Sequence, residues 1–194
     1  MNTESELNLK EKMLFDKPHM PSLELNQYII KLGPNIRGCE IGVCHGENLC
    51  HMLEACENIE GIIAIDPYIA YQDADGYVTQ EMVDDMLDIV YKNLDEIDLR
   101  NKVDFRKLTS DEAVAGIDDD YLDFIFIDGN HTYEYALRDM KNYYSKVKSG
   151  GIFAGHDYSI SQVNSALLEF LSGRDISLSE VKLLANDSWF LYKK

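Results

Sequence analysis

At 194 residues the chain has the size of one ordinary domain, and 45% hydrophobic with 27% charged residues is the composition of a soluble globular protein that needs no metal or disulfide staple to fold. A net charge of −17 and a pI near 4.5 argue against nucleic acids and anionic membrane surfaces as partners, because both would be repelled. No apolar run approaches a bilayer span and the start lacks the apolar core of a secretory signal, so a cytoplasmic location is expected.

Residues 1–22 are polar and end in DKPHMPS, whose two prolines predict an extended arm; residues 23–194 then read as one domain. LELNQYIIKLG predicts a short amphipathic helix closed by Gly33 and Pro34. From there strand and helix alternate. GCEIGV (38–43) is a strand, followed by a helix over 47–56 with Leu49, Met52, Leu53 and Cys56 at helical spacing. GIIAID (61–66) is a strand, and 82–97 a helix with Met82, Met86, Val90, Leu94 and Ile97 on one face. A strand over 102–108 leads to Thr109 and Glu112, which stand at capping-box spacing. YLDFIFID (121–128) is apolar almost throughout, as expected of a strand covered on both faces. A helix over 135–148 presents Leu137, Met140, Tyr144 and Val147, then come a strand over 150–157 and a helix over 161–171. Two last strands, VKLLA and SWFLYKK, are joined by the turn NDS.

Such alternation predicts an α/β fold: a Rossmann-like, doubly wound, mostly parallel sheet with helices on both faces. The two closing strands have no helix between them. They predict a seven-stranded sheet with an antiparallel C-terminal hairpin. The four cysteines, at positions 39, 44, 50 and 56, match no metal-binding spacing and read as reduced thiols of the core.

Ligands of open α/β sheets bind beyond the carboxyl ends of the strands. Every parallel strand here empties into polar groups at that rim: Glu40, Gly42, Gly46 and Asn48; Asp66 and Tyr68; Thr109, Ser110 and Asp111; Asp128, Asn130 and His131; His156, Asp157 and Tyr158. The first loop, EIGVCHG, is not the G-x-G-x-x-G of dinucleotide binders. An acid after the second strand suits ribose hydroxyls. An acid, not a base, near the first loop suits a cationic ligand over a pyrophosphate, and a sulfonium bearing adenosine and an amino group meets that demand.

The stretches EIGVCHGEN, AIDPY, FIDGNHTYEYALRDM and GGIFAGHDY, in this order, resemble those of class I S-adenosylmethionine-dependent methyltransferases, and the chain is similar to the group of macrocin and related sugar O-methyltransferases over roughly residues 36–194. The resemblance implies that Glu40, Gly42, Val43 and Gly46 border the methionine end of the cofactor, with Asn48 capping the next helix. It implies that Asp66 holds the ribose beside Tyr68, that Ser110 and Asp111 lie near the adenine, and that Asp128 faces both the methyl group and the acceptor. His131 and His156 join Asp128 as candidate catalytic groups. Relatives hold a divalent ion with acids after the fourth and fifth strands, which implies Asp128 and Asp157 as ligands of Mg2+ or another divalent metal. His156 stands where relatives carry a further acid. The expected acceptor is a hydroxylated small molecule, with a sugar as one candidate. Association into a homo-oligomer stays open.

Plainer readings stand beside these. His131 also reads as a surface turn residue and His156 as a side chain bonded to a neighbouring loop. Asp66 and Asp128 also read as turn-forming acids bonded to their own backbone. Residues 67–79, PYIAYQDADGYVT, exceed a minimal strand-to-helix connection and predict a lid or acceptor-binding loop, with the N-terminal arm as a second candidate. A catalytically silent module on the same fold remains an alternative function. A nicotinamide-dependent oxidoreductase is disfavoured by the first loop and the closing hairpin.

Overall fold

The computed structural model describes residues 20–74 and 76–194; residues 1–19, most of the expected arm, lie outside the described residues. The chain enters through a short helix α1 (Asn26–Ile29) and alternates through β1 (Ile36–Ile41), α2 (Glu47–Ala55), β2 (Ile59–Ile65), a small hairpin β3 (Tyr71–Asp73) and β4 (Gly76–Val78), α3 (Gln80–Val83) and α4 (Met86–Glu96). It continues through β5 (Val103–Arg106), α5 (Ser110–Ala113), β6 (Leu122–Ile127), α6 (Tyr133–Tyr143), β7 (Val147–Gly155), α7 (Ser161–Ser172), β8 (Lys182–Leu183) and β9 (Trp189–Tyr192). Seven strands form one sheet in the order β5-β2-β1-β6-β7-β9-β8. The first five are parallel and β9 runs antiparallel between β7 and β8. The expected fold is the observed one.

The apolar run of β6 explains the layering. Successive side chains of a strand point to opposite faces. Phe124 and Phe126 enter a core with Leu49 and Leu53 of α2 and Val90 and Leu94 of α4. Ile125 and Ile127 enter a second core with Leu137 and Met140 of α6 and Leu167 and Phe170 of α7. A strand buried on both sides is apolar almost throughout, here at every position of β6 except Asp123, so it lacks the alternation of a half-exposed one. Gly38 of β1 lies beneath the Phe124 ring, where a Cβ would approach Cζ to 2.1 Å. An alanine there would force the ring out of a close-packed layer.

Several boundaries differ from the periodicity. The helix expected over 135–148 ends at Tyr143, and β7 begins at Val147 because Val147 pairs with Leu122 of β6. Pairing across the sheet outweighs a helical pattern that the residues also satisfy. The helix expected over 82–97 breaks at Asp84–Asp85, which leaves Met82 exposed while Val90 and Leu94 are buried. Among the cysteines, 39, 50 and 56 are buried as expected, but Cys44 is exposed. Residues 67–79 contain the β3–β4 hairpin, and among the described residues no helix is long and apolar enough to cross a membrane.

Candidate functional site

The tips of β1, β2, β5 and β6 surround a cavity of about 660 Å³, within the size range of small-molecule sites. Among the described residues its walls carry the carboxyl groups of Glu47, Asp66, Asp128 and Asp139 and the imidazoles of His45 and His131, and neither Lys nor Arg. A smaller cavity of about 420 Å³ lies where β1, β2 and β5 begin. Its Arg37 and Arg106 are already paired with Glu60 at 3.2 Å and Asp104 at 2.9 Å. Ligands of open parallel sheets bind at the opposite ends of the strands, so the larger cavity is the candidate site.

The loop after β1 brings two strand tips together. Gly42 has φ +84°, and a Cβ on it would lie 1.9 Å from the Asp128 carbonyl oxygen, so glycine is required. The loop is then fixed by Asp66 at the end of β2. Val43 N–H and Cys44 N–H both donate to Asp66 Oδ2 at 3.0 Å, and Tyr68 N–H donates to Oδ1 at 2.9 Å. The turn-forming reading of Asp66 is therefore correct as far as it goes. A carboxylate offers about four acceptor positions, so one remains for a ligand on the cavity side. Tyr68 does not line the cavity. Its hydroxyl donates to the Cys44 carbonyl at 2.9 Å and its ring is buried against Phe105.

Glu40 is also behind the wall. It is 1% exposed, accepts from Asn48 Nδ2 at 2.8 Å through Oε1, and has no hydrogen-bond partner at Oε2 among the described residues. Burial pushes its carboxyl up to about 8, against the lowering effect of the Asn48 bond. Asn48 lines the cavity but does not cap α2. Its amide links Glu40 to the backbone N–H of Ser22, and the N-cap position is Gly46. Of the residues expected around the cofactor, Gly42, Val43, Asn48, Asp66, Ser110 and Asp128 line the cavity, whereas Glu40, Gly46, Tyr68 and Asp111 do not. Asp111 turns away to Arg138 at 3.1 Å and to Asn142. The expected Thr109–Glu112 capping box is present and fixes the start of α5.

At the β6–β7 end four side chains cluster. His131 Nε2 lies 2.8 Å from Asp157 Oδ2 and 3.6 Å from Asp128 Oδ1. His156 Nδ1 lies 3.2 Å from Asp157 Oδ2 and 3.4 Å from Asp128 Oδ1. The other nitrogen of each ring is held from outside. His131 Nδ1 is 3.0 Å from Asp73 Oδ2 on β3, and Asp73 Oδ1 also accepts from the His131 backbone N–H at 2.8 Å. His156 Nε2 is 2.6 Å from the Asn186 carbonyl. The loop-bonding reading of His156 thus holds, and its other nitrogen still faces the acids. Asp73 and Asn186 escaped the sequence reading because they lie 58 and 30 residues from the histidines they hold.

Electrostatics follow from this packing. Burial alone would lower both histidines, but Asp128 and Asp157 outweigh it and lift His131 to about 11 and His156 to about 10. Burial in turn works to raise Asp157, and the two imidazoliums override it and hold that carboxyl well below its usual range. Asp128, His131 and Asp157 each offer a donor atom within 4.8 Å of one another, the spacing of a metal centre. With one nitrogen of each imidazole committed elsewhere, the facing nitrogens are oriented as carboxylate- or carbonyl-bound ligating histidines are. The donor set fits a divalent ion, which would take the place of the two imidazolium protons. The carboxyl-rich walls, which carry neither Lys nor Arg among the described residues, fit a cationic sulfonium with an ammonium group.

The β3–β4 hairpin is tied to this end of the cavity, since Asn130 Nδ2 donates to the Gln72 carbonyl at 2.6 Å as Asp73 holds His131. Tyr71 and Gln72 of the hairpin line the cavity together with Met20 and Pro21.

Residues 39–158 match the sequence profile of a family described as methyltransferase domain. No curated protein matches the chain. Among solved structures, the O-methyltransferase NovP is similar with a TM-score of 0.66 and 18% identity, over 89% of this chain and 80% of that one. Precorrin-6y C5,15-methyltransferase from Geobacter metallireducens gives a TM-score of 0.61 at 15% identity, over 92% of both chains. The tRNA methyltransferase TrmI from Aquifex aeolicus gives 0.54 at 18% identity; 76% of this chain is covered, but it spans only 51% of that protein. At these identities the likeness is one of fold.

Proposed function

This chain belongs to the methyltransferase domain family, whose cofactor is S-adenosylmethionine, and from that premise we propose that it methylates a hydroxyl of a small molecule, in the manner of the macrocin-like sugar O-methyltransferases. One observation carries the reading. A single cavity joins a carboxyl-bearing wall at Asp66 to Asp128 and His131, which pair with Asp157 and His156 outside its lining.

When bound, the cofactor supplies an activated methyl group on sulfur. The chain must then align the acceptor and take up its proton. Asp66 and the Gly42–Val43 backbone hold the cofactor, with Asn48 at its amino-acid end and Ser110 at the base. Asp128 lies on the wall at the other end and is the group that receives the hydroxyl proton. His131 and His156, held charged by their acids, accept no proton in this state and instead fix the orientation of Asp128. A divalent ion at the cluster, held by Asp128, Asp157 and His131 with His156 as fourth donor, would lower the pKa of the acceptor hydroxyl. Mixed nitrogen and oxygen donors favour a first-row transition ion over Mg2+, which prefers oxygen alone. The carboxyl-rich rim supports a small acceptor over a nucleic acid, because among the described residues no Lys or Arg lines the wall and the His131 imidazolium is already engaged by Asp157.

Calorimetry with S-adenosylhomocysteine, with and without Mn2+ or Mg2+, followed by a labelled-methyl screen over hydroxylated metabolites, tests the reading. Cofactor binding and label transfer to a hydroxyl oxygen are expected. Binding with no transfer to any acceptor would point to a silent module, and transfer to nitrogen or carbon would reject the O-methyl assignment.

A further inference from the structure

Three donor atoms of another kind meet where the loop after β1 touches α4. Cys44 Sγ lies 3.1 Å from His45 Nδ1 and 3.9 Å from the thioether sulfur of Met86. Cys44 and His45 line the cavity, whereas Met86, the first residue of α4, does not. The proposed methyl transfer uses none of these side chains. The cluster at the β6–β7 end offers carboxylates and an imidazole, while this one offers two sulfurs and an imidazole.

The backbone that presents the donors is fixed. Cys44 N–H donates to Asp66 Oδ2 at 3.0 Å, and the Tyr68 hydroxyl donates to the Cys44 carbonyl at 2.9 Å. Asn93 Nδ2 of α4 donates to the His45 carbonyl at 3.1 Å. That bond ties the loop to the helix carrying Met86, so the donors stand together before a ligand arrives, and little ordering is left for binding to impose. Cys39, Cys50 and Cys56 are buried in the two cores, but Cys44 is exposed. Core packing accounts for the first three thiols and not for the fourth.

The spacing suits an ion. Bonds of about 2.3 Å to sulfur put the two sulfurs of a trigonal site about 4 Å apart, and the observed separation is 3.9 Å. The 3.1 Å between sulfur and nitrogen corresponds to an angle of roughly 90° at the ion, which a d10 ion accepts because its filled shell imposes no geometry. A thiolate with a thioether selects Cu(I) over the ions that carboxylates hold. Binding replaces the thiol proton, which leaves to solvent, and the ion keeps its oxidation state.

We infer that Cys44, His45 and Met86 form a site for one soft, closed-shell cation, Cu(I) by its chemistry, on the wall of the cavity. The inference goes beyond the methyl-transfer reading and stands independently of it.

The test is anaerobic titration of the full chain with Cu(I), kept reduced by ascorbate, in competition with the chromogenic chelator bicinchoninate. The wild type should withdraw one equivalent from the chelator, and Cys44→Ser should lose that equivalent. Met86→Leu and His45→Gln should each weaken binding by at least the about tenfold that even an orienting partner of a ligand contributes, with melting temperatures showing folded proteins. Met86→Leu decides the matter, since leucine keeps the volume, the position lies outside the cavity lining, and only the sulfur is lost. If that variant holds Cu(I) as tightly as the wild type does, the ion sits on a bare thiol and the inference falls. It falls equally if Cys44→Ser keeps its equivalent, if the wild type takes up none, or if Zn2+ displaces Cu(I) from Cys44. Calorimetry of the copper-free wild type with S-adenosylhomocysteine reads the cofactor proposal separately, so either result can fail while the other stands.

Discussion

At the β2 end of the rim, Asp66 is held by three backbone N–H groups from residues 43, 44 and 68. At the β6–β7 end, Asp128 and Asp157 are held by two imidazoles, themselves fixed by β3 and by the loop before β9. The first arrangement is made by the chain's own turns and resists change through the cooperativity of the sheet. The second is made by four segments that meet only when the fold is complete. A rigid cradle suits a cofactor that does not vary, while side chains borrowed from loops suit an acceptor and a chemistry that do.

The widest split should come from Asp128→Asn. Removing a positioned proton acceptor costs about 10²- to 10⁴-fold in kcat. S-adenosylhomocysteine affinity should change by no more than severalfold, measured by calorimetry beside turnover; an active variant would assign the proton to another group. Asp66→Asn should do the reverse. It breaks charge-assisted bonds to the loop, so a loss of about 2–3 kcal/mol in denaturant unfolding is expected, together with weaker cofactor binding. If stability held and only kcat fell, the division between the two ends would be wrong.

Asp73→Asn sharpens the contrast at the cluster. Losing the carboxylate that orients a ligating histidine costs about 10- to 100-fold in metal affinity. The effect should appear in Mn2+ titration with cofactor affinity unchanged. A normal metal affinity would mean that the hairpin only covers the site.

Glu40 gives the smallest effect, read through pH. Its folded carboxyl is raised to about 8 from an ordinary 4.5. Folding therefore favours the protonated acid: this contribution is complete below pH 4.5 and is lost as pH rises through 8. Glu40→Gln removes the dependence. The melting temperature of the variant should gain on the wild type between those pH values, and parallel curves would mean that Glu40 ionises in the fold as it does in water.

Much of the molecule could be read without coordinates. The run from Leu122 to Ile127 marks a central strand, and the acid that ends it marks the rim. The missing helix between the last two strands forecasts the antiparallel insertion of β9. Other assignments could not be made. Glu40 and Tyr68 stand at strand tips as cavity residues should, yet both face away from the cavity. A tip residue's direction depends on loop geometry, which follows from positive-φ turns at Gly42, Cys44 and Tyr68. The hairpin over 71–78 is not legible in the sequence because its three-residue strands are too short to show a period of two.

By itself the sequence determined the order of the seven strands of the main sheet, the two-sided covering of that sheet and the set of acids at its carboxyl edge, because periodicity and turn residues act between near neighbours. Only the tertiary structure decided which of those acids the backbone has already engaged, which two meet imidazoles, and that Asp139 from a helix faces the same cavity. Those outcomes depend on contacts between distant segments, whose side-chain directions are set by packing rather than by local propensity.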